Sequence, residues 1–146
     1  MSAIYRYNVT VSAAAIDENG HLNNVAYVQW MQEAAIAHAS HTPCTRETNA
    51  VGATWVVRAH QIEYLKPAFE GEQIAVLTWI TNIRKVRSQR KYSFFRPQDQ
   101  AILATGTTDW VFVDTKTGRP LSIPEKVAHS FELVTHEVDP KALNIQ

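Results

Sequence analysis

Tyr5, Tyr7, Val9 and Val11 alternate with Arg6, Asn8, Thr10 and Ser12, a two-residue period that predicts a strand over about residues 4–12 with one buried face. The period then changes. From Asn23 or Asn24, both good helix caps, the run Val25, Ala26, Tyr27, Val28, Gln29, Trp30, Met31, Gln32, Glu33, Ala34, Ala35, Ile36, Ala37 reaches about Ser40 without Gly or Pro, which predicts one long helix. Its apolar residues cover most of the circumference, so the rest of the fold is expected to wrap it. After a loop at residues 42–52, stretches rich in β-branched and aromatic residues predict long strands at about 53–66, 72–85, 88–97 and 101–114. Lys66-Pro67, Glu70-Gly71, Arg96-Pro97-Gln98-Asp99 and Thr117-Gly118-Arg119-Pro120 supply the breaks, and hairpin-like connections are expected between the strands. Pro124 suits the first turn of a short helix, and a polar end follows it.

One buried helix between a first strand and four later ones implies an α+β design, a sheet curled around the helix, as one domain over residues 1–146. A single sheet has open edges and an outer face, so association into a homodimer or a homotetramer is expected. At 45% hydrophobic and 19% charged residues the chain is too apolar for disorder. Fourteen basic side chains balance fourteen acidic ones, so no global field recruits nucleic acid or an anionic membrane, and any polyanion must be bound locally. The amino end lacks a basic segment followed by a long apolar one, and no run of apolar residues is long enough to span a bilayer. A soluble, cytoplasmic protein is the expectation. Cys44, the lone cysteine, cannot form an intramolecular disulfide or a multi-cysteine zinc site, and beside Pro43 it reads as a loop residue.

The most informative stretch joins the first strand to the helix: Ile16, Asp17, Glu18, Asn19, Gly20, His21, Leu22, Asn23, Asn24, Val25, Ala26, Tyr27. A turn is expected at Asn19-Gly20, because glycine tolerates positive φ, and the chain then enters a helix whose first amides have no internal acceptors. Such amides, around Asn24 and Val25, can polarise a carbonyl oxygen, and the helix dipole favours negative charge developing there. A carboxylate a few residues upstream can attack that carbonyl or activate a water. The bland alternative is that Asp17 makes an Asx-turn, that Asn23 or Asn24 caps the helix, and that His21 satisfies a loop hydrogen bond.

At these residues the sequence resembles the hot-dog thioesterase superfamily, in particular its 4-hydroxybenzoyl-CoA thioesterase-like branch and the plant acyl-acyl-carrier-protein thioesterases. The resemblance covers nearly the whole chain, to Trp110-Val111-Phe112-Val113-Asp114. In the bacterial branch a catalytic Asp stands ten residues before an aromatic residue of the central helix, as Asp17 stands before Tyr27. In the plant enzymes an Asp-x-Asn-x-His-x-Asn-Asn run supplies catalytic groups, and Asp17, Asn19, His21, Asn23 and Asn24 fall in that register. The resemblance implies a hot-dog fold, hydrolysis of an acyl-CoA or acyl-carrier-protein thioester, and catalytic roles for Asp17, Asn19 and His21. Asn23 and Asn24 depart from the bacterial branch, so substrate does not carry over between branches. Another branch uses an acid on the central helix, for which Glu33 is the counterpart, with a solvated or interface glutamate as the alternative.

The cluster Arg84, Lys85, Arg87, Arg90 and Lys91 is either a charged hairpin end or a holder of coenzyme A phosphates, with Arg84, Arg87 and Arg90 the candidates. The histidines outside the Asp17 stretch are scattered, so no metal site is expected, and no redox cofactor is called for. Gly-rich phosphate loops and a Gly-x-Ser-x-Gly elbow are absent. A hot-dog module that binds an acyl thioester without hydrolysing it is the alternative function. A hot-dog dehydratase or hydratase would need a different His and acid arrangement.

Overall fold

The computed structural model describes residues 3–146. Strand β1 (Tyr5–Thr10) leads through a short 3-10 turn at Ala13–Ala15 to helix α1 (Asn24–Ser40). Helix α2 (Cys44–Ala50) follows, and then β2 (Ala53–Tyr64), β3 (Gln73–Arg84), β4 (Arg87–Arg96) and β5 (Ala101–Asp114), with a one-turn helix α3 (Glu125–Ala128) beyond. The α+β class and the long helix stand as expected. Residues 44–50 are helical rather than loop; Cys44 accordingly lies on a helix, buried.

All five strands pair antiparallel in the order β1-β3-β4-β5-β2. This corrects one expectation: β2 does not form a hairpin with β3 but pairs with β5, with Trp55 opposite Phe112 and Ile62 opposite Gly106. Residues 65–72 therefore cross from one region of the sheet to another. The amides of Leu65 and Lys66 both donate to Leu103 O, and Leu22 N donates to Ala68 O, which ties the crossing to the segment before α1.

The concave face of the sheet packs on α1, where Met31, Ala34, Tyr27, Ile74, Val76, Tyr92, Phe94 and Leu103 make one buried cluster. The helix approaches the sheet closely at Gly106, where a Cβ would stand 3.1 Å from Met31 Cε and the methionine end would have to shift by a few tenths of an ångström. The helix is not wrapped all round: Val25, Gln29, Gln32 and Ile36 form an exposed stripe at helical spacing. The opposite face is not bare either. Ala75, Leu77, Trp79 and Phe95 are covered by Val134, Val138 and Ile145 of the carboxyl-terminal segment. Val134 N donates to Ile80 O, and Gln100 Nε2 donates to Ile145 O. A tail that reads as polar thus supplies part of the core.

Candidate active site

Between Ile16 and Leu22, which form an isolated antiparallel bridge, the chain makes a closed loop. Asp17 N donates to His21 O at 2.8 Å and Gly20 N to Asp17 O at 3.0 Å, with Gly20 at φ +78 as the turn requires. The carboxylate of Asp17 lies inside this loop. Its Oδ1 accepts from Asn19 N at 2.9 Å and from His21 N at 3.1 Å. The other oxygen, Oδ2, has no hydrogen-bond partner among the described residues. The Asx-turn is thus present, and it fastens one carboxylate oxygen only.

Two further contacts orient the loop against the crossing segment and the helix. The His21 ring meets Phe69 edge-on, centroids 5.4 Å apart. Asn23 caps α1, its Oδ1 accepting from Ala26 N at 2.8 Å. That cap leaves the amides of Asn24 and Val25 without an acceptor among the described residues, and both residues are exposed. Tyr27, ten residues beyond Asp17, is buried with its ring edge against Phe94 at 5.0 Å, so the first turn of α1 is anchored to the sheet. Burial pushes the Tyr27 hydroxyl up to about 12, so it stays protonated at neutral pH. Asp17, the turn and the free helix amides thus lie in one short stretch, closed by the Ile16–Leu22 bridge and the Asn23 cap. Asn19 is exposed in it and His21 half-buried.

The remaining candidates divide. Glu33 is tethered, since Tyr7 OH donates to its Oε1 at 2.9 Å, a bond that raises the Tyr7 pKa. Arg84 and Arg87 face each other in register at the β3–β4 turn and are exposed. Arg90 differs from the expectation of a surface cation. It is 3% exposed, because it shares the phase of Tyr92 and Phe94, the side of β4 turned toward α1. A cue for this was present in the sequence: counting back by twos from Phe94 gives Tyr92, Arg90 and Ser88. Among the described residues no three His, Cys, Asp or Glu side chains converge as a metal ion would require. Among the described residues, one cavity of about 910 Å³ opens on the tail-covered face and another of about 620 Å³ beside the carboxyl half of α1. Neither is lined by Asp17, Asn19 or His21.

Residues 11–131 match the family model of the thioesterase-like superfamily. The chain belongs to that superfamily. Solved structures share its fold, the hot-dog arrangement expected from the sequence. The probable thioesterase YbaW from Escherichia coli superposes with a TM-score of 0.80 at 17% identity, covering 86% of this chain and 95% of that one. A 1,4-dihydroxy-2-naphthoyl-CoA thioesterase from Synechocystis gives 0.74 at 21% identity, over 84% of this chain and 91% of that one. An acyl-ACP thioesterase from Bacteroides thetaiotaomicron gives 0.84 at 21% identity, over 96% of this chain and 58% of that one. No curated protein sequence matches the chain. As a member of the thioesterase-like superfamily, the protein has thioester hydrolysis as its general chemistry, and among the described residues no helix is long and apolar enough to cross a membrane.

Proposed function

We propose that the protein is a cytoplasmic enzyme that hydrolyses an acyl thioester, of coenzyme A or of an acyl carrier protein, with Asp17 as nucleophile or general base. The observation that carries this reading is the half-fastened carboxylate: Oδ1 is held by two backbone amides, Oδ2 has no partner, and the free amides of Asn24 and Val25 follow directly. In the base form, Oδ2 takes a proton from water as the water oxygen bonds to the carbonyl carbon. The carbonyl oxygen, now negative, is met by the amides of Asn24 and Val25 and by the positive end of the helix dipole. The C–S bond then breaks, and the thiolate recovers the proton. Asn19 and His21 orient water or substrate beside Asp17. Release of free thiol from a panel of acyl-CoA and acyl-carrier-protein substrates tests the assignment, and binding without release would leave a non-catalytic module.

A second chain belongs to this reading. The exposed stripe Val25, Gln29, Gln32, Ile36 runs along α1 to a cavity that Gln32 and Ile36 line together with exposed Val56 of edge strand β2, which carries a free row of backbone groups. Strand β3 separates the Asp17 loop from the Arg84 and Arg87 turn by 12 residues, roughly 35–40 Å at strand rise. A coenzyme A held at Asp17 of one chain is therefore better placed to meet the arginines of a partner than those of its own chain. Sedimentation at micromolar concentration should show a homodimer or a dimer of dimers; a monomer would remove this arrangement.

Replacing Arg84 and Arg87 together with Ala should raise KM for acyl-CoA several-fold, since each exposed charge-assisted contact contributes about 1 kcal/mol. Turnover at saturation should hold, because the phosphates are equally bound in ground and transition states. An acyl-pantetheine, lacking the nucleotide, is the control and should be indifferent. If both substrates weaken alike, the arginines serve the fold instead.

A further inference from the structure

Arg90 carries a charge into the interior with no anion beside it. Its Nη1 donates to His38 Nδ1 at 2.9 Å and to Thr78 Oγ1 at 3.0 Å, both neutral acceptors, and the Phe131 ring lies over the guanidinium at 5.5 Å. The ion pairs among the described residues are Arg46 with Glu47 and Arg96 with Glu72 and Asp99, and none includes Arg90. Its Nε and Nη2 have no acceptor among the described residues. The titratable groups that face it are neutral as well. Burial, then the Arg90 charge and His41, bring His38 down to about 3. Burial raises the Cys44 thiol and the Tyr92 hydroxyl, and lowers Arg90 itself only to about 10. At neutral pH the guanidinium is thus a lone buried cation.

A buried charge without a counter-charge opposes folding, and well-packed apolar residues often replace buried ions without loss. Packing alone therefore does not account for an arginine here. The cavity of about 620 Å³ next to it does, because Arg90 lines it together with Ile36, Cys44, Trp55, Val57 and Phe131. That volume lies in the range of small-molecule sites, which are mostly apolar with a few placed polar groups; here Thr45, Thr48, Asn49, Thr54, Ser88 and Gln32 are the neutral polar residues of the lining and Arg90 its one cation. A guanidinium offers parallel N–H donors that match a carboxylate, and a single cation in apolar walls suits one negative charge on a hydrocarbon body better than a hydrated polyanion.

We propose that this cavity binds the carboxylate of an amphipathic organic acid, with Nε and Nη2 of Arg90 donating to it and the aromatic and aliphatic walls holding the rest. The inference does not depend on hydrolysis at Asp17, which does not line the cavity. The carboxylate belongs either to a free acid or to the far end of an acyl group.

Trp55 and Trp110 line the cavity and report its occupancy by fluorescence. Titration of the wild-type protein with octanoate should give at least about tenfold tighter binding than octanamide, the same body without the charge. Arg90→Gln should abolish that preference while leaving octanamide binding unchanged. If this variant does not fold, the acid and amide comparison on the wild type decides alone. Equal binding of acid and amide, or binding of neither at millimolar concentration, overturns the proposal. A non-hydrolysable pantetheine thioether with a terminal carboxylate, compared with its methyl-ended counterpart, then separates the sources. Displacement of octanoate by the carboxylate form alone assigns the site to the far end of an acyl group, and displacement by neither assigns it to a free acid. Equal displacement by both would mean that the charge is not recognised, and would also overturn the proposal.

Discussion

Asp17→Asn should lower thioester turnover at least about a hundredfold, equivalent to about 2.7 kcal/mol of transition-state stabilisation. The loop should survive the change. An asparagine carbonyl oxygen can still accept from Asn19 N and His21 N, the two bonds that Oδ1 of Asp17 makes, so only the charge and the basicity of the second oxygen are lost. Asp17→Ala makes a useful contrast, since it also releases both amides and should loosen the segment that enters α1. His21→Ala and Asn19→Ala should reduce turnover less than Asp17→Asn, if both orient rather than react. Circular dichroism and thermal midpoints would show whether each variant is folded, and near-parental thiol release by folded Asp17→Asn would end the assignment.

The second large effect is on stability. Phe94 is fully buried, its ring is met edge-on by Tyr27, and it sits in the cluster that fixes the first half of α1 to the sheet. Phe94→Ala should cost about 3–5 kcal/mol, enough to lower the thermal midpoint by on the order of 10 °C for a chain of this size. Equilibrium denaturation measures it directly. A loss under about 1 kcal/mol would mean that the amino end of α1 is not held by this packing. Because Tyr27 lies on the turn that presents the free amides, partial activity loss in the folded fraction should accompany the change.

Much of this arrangement is legible in the residues themselves. The alternation at Tyr5 to Val11 and the unbroken run from Val25 to Ala37 mark β1 and α1, and Asn19-Gly20 marks the turn. Strand order is not legible, because β2 and β5 meet through contacts far apart in the chain while the local turn signals suggest hairpins. Helix α2, Cys-Thr-Arg-Glu-Thr-Asn-Ala, has few strong helix formers and folds through its contacts with neighbouring elements. Arg90 sits in Arg87-Ser88-Gln89-Arg90-Lys91, where every residue is polar and no alternation reports which side faces in. Its burial, and the cavity beside it, depend on phase inherited from Tyr92 and Phe94. The tail escapes notice because Leu133, Val134, Val138, Leu143 and Ile145 follow neither a strand nor a helix period.

The strand order also bears on how the chain emerges from the ribosome. Neither β1 nor β2 pairs with a strand made immediately before or after it: β1 waits for β3, and β2 waits until β5, ending at Asp114, has been synthesised. Helix α1 is made before any of the four strands that follow it. For most of translation, then, an apolar helix and an unpaired strand stand without their partners, and loop-closure entropy must be overcome before β2 and β5 meet. Only β3, β4 and β5 can assemble as successive hairpins. The nascent protein passes through a stage in which its central helix is the surface most in need of cover, and a chaperone or a neighbouring nascent copy would meet that surface first.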